Sequence, residues 1–296
     1  MMASWQSKLL NPILRLQVKR RLGKAQSAQT VRKVFGTPLP APLGASYRRD
    51  VVGGVAGEWV EAGREAAGTM LFLHGGGYLA CSPRTHRPFT ASFALRGMKV
   101  FAPDYRLAPE NPFPAALDDV VAVYKGMLET GVSPGRLVVS GDSAGGGLSL
   151  ALMLALKGAG LKLPASLALF SPWTDLALTG GTLKTNFESE VLLHAETMPH
   201  AASFYANGEA TTNPLISPLY GDLAGLPPMF IAASAAEVLL DDSRRLAARA
   251  SEGGVAVTLK IWEGMPHDWP LFQFLLPEGR AALDEAAAFA KTCFVG

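Results

Sequence analysis

The sequence predicts an α/β fold in which a mostly parallel sheet of about eight strands is flanked by helices. From residue 69 onward, short apolar runs alternate with amphipathic helical stretches, which is typical of parallel strands joined by helices. Two earlier runs, residues 47–52 and 55–61, are separated only by Gly53-Gly54, which predicts an antiparallel hairpin that opens the sheet. The length of 296 residues fits one large domain of this class.

The parallel strands are predicted where apolar, β-branched runs are bounded by Gly, Pro and polar residues. Those strands cover residues 69–73, 99–102, 137–139, 166–170, 229–233 and 255–261. Helices are predicted at residues 83–96, 115–129, 148–156, 241–252 and 278–291. Residues 171–227 are too long for an ordinary connection, so we expect this insertion to contain a lid or binding loops.

Composition excludes several classes of function. Hydrophobic residues make up 49% of the chain and charged residues 18%, which supports a sizeable core. A net charge of +2 argues against nucleic acid as a partner, and the two cysteines have no metal-ligand spacing. No apolar run is long enough to span a membrane and the N-terminus lacks a signal-peptide pattern. We therefore expect a cytoplasmic protein without metal or integral membrane association.

Residues 4–22 predict an amphipathic helix. Its apolar face is formed by Trp5, Leu9, Ile13 and Leu16. Because basic residues follow at 19–21, one interpretation is a helix that lies on a membrane surface. We favour a helix packed over a cleft of the same protein, since this cluster is short and Pro12 would kink a long interfacial helix. The Pro-rich residues 36–46 predict a linker to the main domain.

A serine in a glycine-rich turn is the central candidate for chemistry. Residues 141–145, Gly-Asp-Ser-Ala-Gly, follow the strand at 137–139 and precede an apolar helical stretch. A G-x-S-x-G pattern between a strand and a helix is typical of a nucleophilic serine, held in a strained turn at a helix N-terminus. A plain glycine-rich loop is the alternative, which the strand–turn–helix context disfavours. Ser143 is therefore predicted to be the nucleophile.

A serine nucleophile needs a base, and on such a turn the base comes last in the chain, after an acid. Three histidines follow Ser143. His194 and His200 lie in the irregular insertion, whereas His267 lies in a Gly/Pro loop just past the strand at 255–261. Because loops at strand ends present catalytic groups to one another, we predict His267 as the base.

The orienting acid is expected between Ser143 and His267, after another strand end. Glu237 stands nearest the end of the strand at 229–233 and is the predicted acid, with Asp241 as the alternative. A helix-capping role accounts for one of Asp241 and Asp242 without catalysis. Asp268 is not expected to contribute, because neighbouring side chains in a loop usually diverge.

Converging N–H groups are required to bind the oxyanion of an acyl transfer. Ala144 follows the nucleophile and supplies one donor, and Gly75 and Gly76 in the His-Gly-Gly-Gly segment at 74–77 are predicted to supply two more. A dinucleotide-binding interpretation of these glycines fails, because no acidic residue follows about 20 positions later. His74 precedes Ser143, so we expect it to brace the loop.

These residues resemble the bacterial hormone-sensitive-lipase-like (family IV) carboxylesterases of the α/β-hydrolase fold, from about Thr69 to Trp269. The resemblance rests on HGGGY at 74–78, YRLAPE at 105–110, FPAALDD at 113–119, GDSAGG at 141–146, SPWTD at 171–175, NPLISPL at 213–219, GLPP at 225–228 and GMPH at 264–267. The chain has EVLLDD at 237–242 where the family commonly has Asp-Pro-Leu-x-Asp-Glu, which aligns Glu237 with the catalytic acid.

The resemblance implies a cap formed by the N-terminal helices of residues 1–45 and by an insertion at about 182–212. This cap would cover an α/β-hydrolase catalytic domain of residues 46–296. The resemblance also implies a serine carboxylesterase that hydrolyses short-to-medium acyl esters through an acyl-enzyme, with a small-molecule ester as partner and no cofactor. It further implies a homodimer through the edge of the last strand.

Two alternatives to a carboxylesterase remain open. A lactonase or an N- or O-deacetylase would use the same triad, because all these reactions share one tetrahedral intermediate. A non-catalytic protein of this fold that binds a small ligand would lack a triad member, and this chain has a complete set. The pocket-shaping cap residues are apolar and favour an apolar acyl chain; they are predicted to include Trp5, Leu9, Phe187, Phe204 and Tyr205.

Overall fold

The computed structural model describes residues 3–25, 27–63 and 65–295, with a single eight-stranded sheet at the centre. The strands are β1 Ser46–Val52, β2 Val55–Glu61, β3 Gly68–Leu73, β4 Met98–Pro103, β5 Leu137–Asp142, β6 Ser166–Phe170, β7 Met229–Ser234 and β8 Val257–Trp262. Their order across the sheet is β1-β2-β4-β3-β5-β6-β7-β8. The predicted α/β class is confirmed, and every predicted strand is present.

The sheet is antiparallel only at its first edge. β2 pairs antiparallel with β1 and with β4, and all the remaining pairs are parallel. Gly53 and Gly54 have φ of 59° and 82°, so the two-residue turn of the hairpin requires residues without a Cβ. Because β3, β5, β7 and β8 run in one direction, the loops that follow them meet at one edge of the sheet.

Helices cover both faces of the sheet. The helices are α1 Trp5–Leu14, α2 Arg20–Leu22, α3 Ala28–Phe35, α4 Arg87–Leu95, α5 Ala115–Glu129, α6 Ser143–Gly158, α7 Thr182–Thr185, α8 Met198–Ala206, α9 Leu240–Glu252 and α10 Pro277–Thr292. α5, α6 and α9 pack in one apolar cluster, while α4 and α10 pack in a second. None of the described helices is both long and apolar enough to cross a bilayer.

The N-terminal helix presents two apolar faces. α1 continues through a π-helical segment, Arg15–Lys19, into α2. Leu10 and Leu14 are buried, as expected for a helix that packs on the same protein. Trp5, Leu9, Ile13 and Leu16 are exposed, so the prediction that this face covers a cleft is wrong. The helix packs through the neighbouring residues, which lie on a different side of it.

Two acidic residues of α9 hold the long insertion between β6 and β7. Asp242 Oδ2 accepts hydrogen bonds from the backbone N–H groups of Thr174 at 2.7 Å and Asp175 at 2.8 Å. Asp241 Oδ2 accepts one from the N–H of Thr182 at 3.0 Å. The first turn of α9 has no side-chain cap, so the capping role predicted for one of these residues is wrong. Burial raises the pKa of the Asp242 carboxyl to about 7.

α6 begins five residues before the predicted start at residue 148. Residues 145–147 are all glycine, whose low helix propensity obscures the first turn in the sequence. A Cβ at Gly145 would overlap the backbone carbonyls of Leu73 and His74, and one at Gly147 would overlap that of Trp173. Close packing against β3 and the β6 loop therefore requires glycine here despite the cost in propensity.

We expect Gly145→Ala to lower the free energy of unfolding by at least about 2 kcal/mol, because the new methyl group meets backbone that cannot rotate away. Gly158→Ala at the other end of α6 is the matched control, since a Cβ there meets nothing within 4 Å. That control should be neutral or stabilising by up to ~1 kcal/mol. Urea denaturation measures both, and equal effects would contradict this account of the turn.

Candidate active site

Ser143 lies where β5 passes directly into α6. Its φ of 50° is in the left-handed region, which is strained for a residue with a side chain. The loop after β7 carries Glu237 and the loop after β8 carries His267, so the parallel strands bring all three residues to one edge of the sheet. Ser143 is 7% exposed, and the other two side chains are fully buried.

The three side chains form a continuous hydrogen-bonded row. His267 Nε2 is 3.0 Å from Ser143 Oγ, and His267 Nδ1 is 2.7 Å from Glu237 Oε2. The second carboxylate oxygen of Glu237 accepts the backbone N–H of Ser234 at 2.8 Å. The Ser234 hydroxyl donates to the carbonyl of Met265 at 2.6 Å, which links the two loops that carry the acid and the histidine.

The alternative acid, Asp241, does not contact His267. It lies in the first turn of α9, and its carboxylate faces the insertion, where it binds the backbone of Thr182. The geometry of the site therefore pairs His267 with Glu237 and leaves Asp241 as a support of α7.

Asp268 lies against His267, contrary to the expectation that the two side chains diverge. Its φ of 52° turns the chain so that Asp268 Oδ2 lies 3.0 Å from His267 Nε2, the nitrogen that also faces Ser143. The side chain is 5% exposed, and its Oδ1 has no hydrogen-bond partner among the described residues. A left-handed residue is not readable from sequence spacing, which is why the prediction for Asp268 is wrong.

The carboxylate of Asp268 favours the protonated form of His267. Burial lowers the pKa of His267, but the carboxylates of Asp268 and Glu237 outweigh burial and raise it well above its usual range. Burial raises the pKa of Asp268 to about 7, and the charge of His267 opposes that shift. Nε2 and Oδ2 are 3.0 Å apart, close enough for the Asp268 carboxylate to favour a positive charge on the ring. When Nε2 is protonated, it has no lone pair to accept the proton of Ser143.

The backbone N–H of Gly75 is occupied, so its prediction as an oxyanion donor is wrong. It donates to Asp142 Oδ1 at 3.1 Å, and Asp142 Oδ2 lies 3.1 Å from His86 Nε2. A Cβ at Gly75 would overlap this carboxylate, so glycine is needed there for packing. Gly75 therefore packs against the turn that carries Ser143, and the free N–H groups belong to the next two residues.

The free N–H groups lie at Gly76 and Gly77. Both residues line the cavity beside Ser143, and neither N–H has an acceptor among the residues that the structure describes. Their φ values of 110° and 64° turn the chain sharply at this point. Ala144 follows Ser143 in the first turn of α6, where N–H groups have no intrahelical partner. Gly76, Gly77 and Ala144 thus form the available donor set, and Gly77 was missed from the sequence.

His74 is buried and bound within its own loop. Its Nδ1 lies 2.8 Å from the carbonyl of Gly75, and its ring stacks on Tyr105 with ring centroids 4.2 Å apart. The Tyr105 hydroxyl donates to the carbonyl of His74 at 2.6 Å. Burial, together with the nearby His86, lowers the pKa of His74 to about 3. These contacts agree with the predicted bracing role.

Glu190 is a buried residue of the site that no sequence pattern indicated. Its Oε1 accepts the backbone N–H groups of Val191 and Leu192 at 2.8 and 2.7 Å. Its Oε2 accepts the N–H of Val238, the neighbour of Glu237, at 3.2 Å. Burial raises its pKa. Glu190 therefore ties the cap insertion to the loop that carries Glu237, and a lone Glu in an irregular segment gives no signal of this.

A cavity of about 280 Å³ opens above Ser143. Its floor carries Ser143, His267 and Asp268, and most of its remaining wall is apolar. The N-terminal helices and the insertion between β6 and β7 supply that wall through Leu14, Val18, Leu22, Val31, Phe35, Leu192, Leu193, Met198 and Phe204. The arrangement can bring a nucleophilic oxygen, a base and an anion site to one end of a small apolar chamber.

The cap residues predicted to shape this pocket are only partly correct. Phe204 lines the cavity. Tyr205 is buried and stacks on Tyr78 with ring centroids 3.7 Å apart, and Phe187 lies under the ammonium group of Lys19. Trp5 and Leu9 are exposed on the outer face of α1, so their prediction as pocket residues is wrong.

The chain is similar in sequence and fold to known proteins. The model of a family described as alpha/beta hydrolase fold matches residues 70–271. An acetyl-hydrolase of Streptomyces hygroscopicus is 40% identical over 98% of both chains, and an esterase of Acinetobacter venetianus is 37% identical over 81% of this chain and 80% of its own. The crystal structure of EstE5 soaked in ethyl alcohol has a TM-score of 0.95 and 38% identity over 99% of this chain and 100% of its own. An esterase from the bacterial hormone-sensitive lipase family has a TM-score of 0.91 and 36% identity over the full length of both chains.

Proposed function

The chain belongs to the bacterial hormone-sensitive-lipase-like esterases of the α/β-hydrolase fold, and from that premise we propose its mechanism and its substrate class. It is a carboxylic ester hydrolase, as its relatives are, and not a non-catalytic binding protein of the same fold. We propose that it cleaves short-to-medium acyl esters through an acyl-enzyme on Ser143. The observation that carries this proposal is the hydrogen-bonded row from Ser143 through His267 to Glu237.

In the proposed mechanism, Ser143 Oγ attacks the ester carbonyl carbon while its proton passes to His267 Nε2. The carbonyl oxygen becomes an oxyanion that the N–H groups of Gly76, Gly77 and Ala144 stabilise. The tetrahedral intermediate collapses, the alcohol leaves with the proton from Nε2, and the acyl group stays on Ser143. Water then attacks the acyl-enzyme by the same route, which releases the acid and restores Ser143.

Glu237 is proposed to orient His267. It accepts the Nδ1–H, which fixes the tautomer with a free Nε2 and stabilises the imidazolium that forms during attack. The backbone N–H of Ser234 holds the other carboxylate oxygen, so the acid cannot rotate away from the ring.

The cavity supports a small, apolar acyl group. Its volume of about 280 Å³ lies just under the range of roughly 300–1,000 Å³ that is usual for ligand pockets. The acetyl-hydrolase relative spans nearly the whole chain, which makes acetyl esters the first substrates to test and keeps O- or N-deacetylation as the second candidate. An acyl-length series of p-nitrophenyl esters, run beside lactones, separates these substrates.

The domain assignment is proposed on the same basis. Residues 1–45 and about 182–212 would form a cap on a catalytic domain of residues 46–296, which agrees with their contribution to the cavity wall. A homodimer through the edge of the sheet and a cytoplasmic location stay predictions. β8 is the edge strand that such a dimer would use.

Ser143→Ala should reduce kcat for p-nitrophenyl acetate and butyrate by about 10⁶-fold, because no other group replaces the nucleophile. Ser243→Ala is the control, since Ser243 is buried and its hydroxyl has no partner among the described residues. It should keep wild-type turnover. Near-normal turnover by a folded Ser143→Ala protein would rule out the mechanism.

Glu237→Ala should lower kcat by roughly 10³–10⁴-fold, as expected for loss of the carboxylate that orients a catalytic histidine. Asp241→Ala should lower it far less, because Asp241 binds the backbone of Thr182 and not His267. The comparison uses steady-state kinetics on one ester under matched conditions. The reverse ranking would transfer the role of the acid to Asp241.

Asp268→Asn should shift the acidic limb of the kcat/KM profile to lower pH. The Asp268 charge raises the pKa of His267, and the base is neutral only above that pKa. Removing the charge lowers the pKa of His267, so more of the enzyme is active at neutral pH. Asp284→Asn, a change at an exposed residue, should leave the limb in place. If the acidic limb of Asp268→Asn stays in place or moves to higher pH, the effect of Asp268 on the pKa of His267 is contradicted.

A further inference from the structure

An apolar stripe, which we call the outer stripe, lies on the outer face of α1 and of the π-helical segment that follows it. Its members, Trp5, Leu9, Ile13 and Leu16, are 66%, 61%, 57% and 56% exposed. Their spacing of four, four and three residues places them along one side of the helix, apart from the buried Leu10 and Leu14. A contiguous apolar surface of this kind marks an interaction site, whereas single exposed apolar residues do not.

The segment that bears the outer stripe is strongly cationic. Residues 1–45 contain eight Lys and Arg and no Asp or Glu, whereas residues 46–296 contain 19 basic and 25 acidic residues. The first part thus carries a charge of +8 and the rest −6, although the whole chain is near neutral. Six of these cations are exposed and have no carboxylate within 4.0 Å among the described residues: Lys8, Arg15, Arg20, Arg21, Lys24 and Lys33.

We propose that the outer stripe binds the surface of an anionic lipid bilayer, with α1 and α2 lying in the plane of the interface. An exposed apolar face with a tryptophan, next to Lys and Arg and without acidic residues, has the chemistry of an interfacial helix. Each Lys or Arg near such a surface adds attraction to negatively charged headgroups. This site is peripheral and requires no membrane-spanning segment.

A second copy of the chain fits the outer stripe less well. A symmetric contact between two stripes would bring two segments of charge +8 together, and neither contains a carboxylate to pair with the other's cations. An anionic lipid surface supplies the negative charge that the segment lacks. Charge complementarity therefore favours an anionic lipid surface over a second copy of the chain as the binding partner of the outer stripe.

The outer stripe and the cavity share one helical segment. Leu14, Val18 and Leu22 line the cavity, while Leu9, Ile13 and Leu16 face away from it. Lipid binding is independent of the proposed catalytic mechanism, because the stripe residues touch neither Ser143 nor His267. The two proposals can therefore be tested separately. Lipid binding is measured without an ester substrate, and ester hydrolysis is measured without lipid.

The test is sedimentation of the intact protein with sucrose-loaded vesicles of phosphatidylcholine alone or mixed equally with phosphatidylglycerol. We expect binding to the mixed vesicles that weakens as salt is raised, and little binding to phosphatidylcholine. Tryptophan emission should shift to the blue on binding, because Trp5 is the exposed tryptophan and the other four are at most 8% exposed. Trp5→Phe should abolish that shift.

Matched double variants distinguish binding through the outer stripe from nonspecific association of exposed apolar or basic residues with the vesicles. Leu9→Ser with Ile13→Ser should weaken binding by about tenfold or more, whereas Val51→Ser with Phe274→Ser, also at exposed apolar positions, should not. Arg20→Gln with Arg21→Gln should weaken it about tenfold, and Lys125→Gln with Lys162→Gln, at exposed lysines outside the cap, should have less effect. All variants should hydrolyse p-nitrophenyl butyrate in solution as the parent does.

Three outcomes would overturn the proposal. The first is an absence of binding to the mixed vesicles at low salt. The second is binding that the outer-stripe variants retain in full. The third is a concentration-dependent dimer that the Leu9→Ser and Ile13→Ser changes dissociate, measured by sedimentation velocity, which would assign the stripe to a second copy of the chain.

Discussion

The close approach of α6 to β3 is the constraint on which the rest of the site depends. Gly145 packs directly on the carbonyls of Leu73 and His74, so no side chain separates the nucleophile turn from the loop after β3. That contact brings Ser143 next to the free N–H groups at positions 76 and 77. Asp142 fixes the same junction from the side, because its carboxylate accepts the N–H of Gly75. Ser143 and these free N–H groups are thus positioned by one packing contact between backbones.

Buried carboxylates surround His267, and they differ in how their charge is compensated. Glu237 is bound by the N–H of Ser234 as well as by His267. Glu190 accepts several backbone N–H groups. Asp268 has the poorest set, since one of its oxygens has no partner in the described part of the chain. Its charge is therefore the least compensated of the three, and it favours the protonated form of His267.

Sequence patterns predicted the strands and the three residues that form the hydrogen-bonded row, because each follows a strand end and parallel strands bring those ends together. They failed where one residue's backbone angle decides the outcome. The choice of Gly75 was one position too early, since spacing does not reveal which N–H faces the cavity. Asp268 was dismissed because its left-handed φ is invisible in the sequence. The two faces of α1 were not distinguished, since helical periodicity does not say which apolar side is covered.

α1 and the π-helical segment Arg15–Lys19 are attached to the insertion through cations that pair with no carboxylate among the described residues, unlike Arg32 of α3, which pairs with Glu110. Arg15 donates to the carbonyl of Glu188 at 2.6 Å, and Lys19 donates to the carbonyls of Phe187 and Glu190 while its ammonium lies 4.2 Å from the ring centroid of Phe187. Carbonyl oxygens and an aromatic face hold a cation without neutralising it, whereas carboxylates would cancel its charge. Attachment of the N-terminal helix therefore does not reduce its positive charge. The inner face of that helix can therefore line the cavity while the helix as a whole stays positively charged.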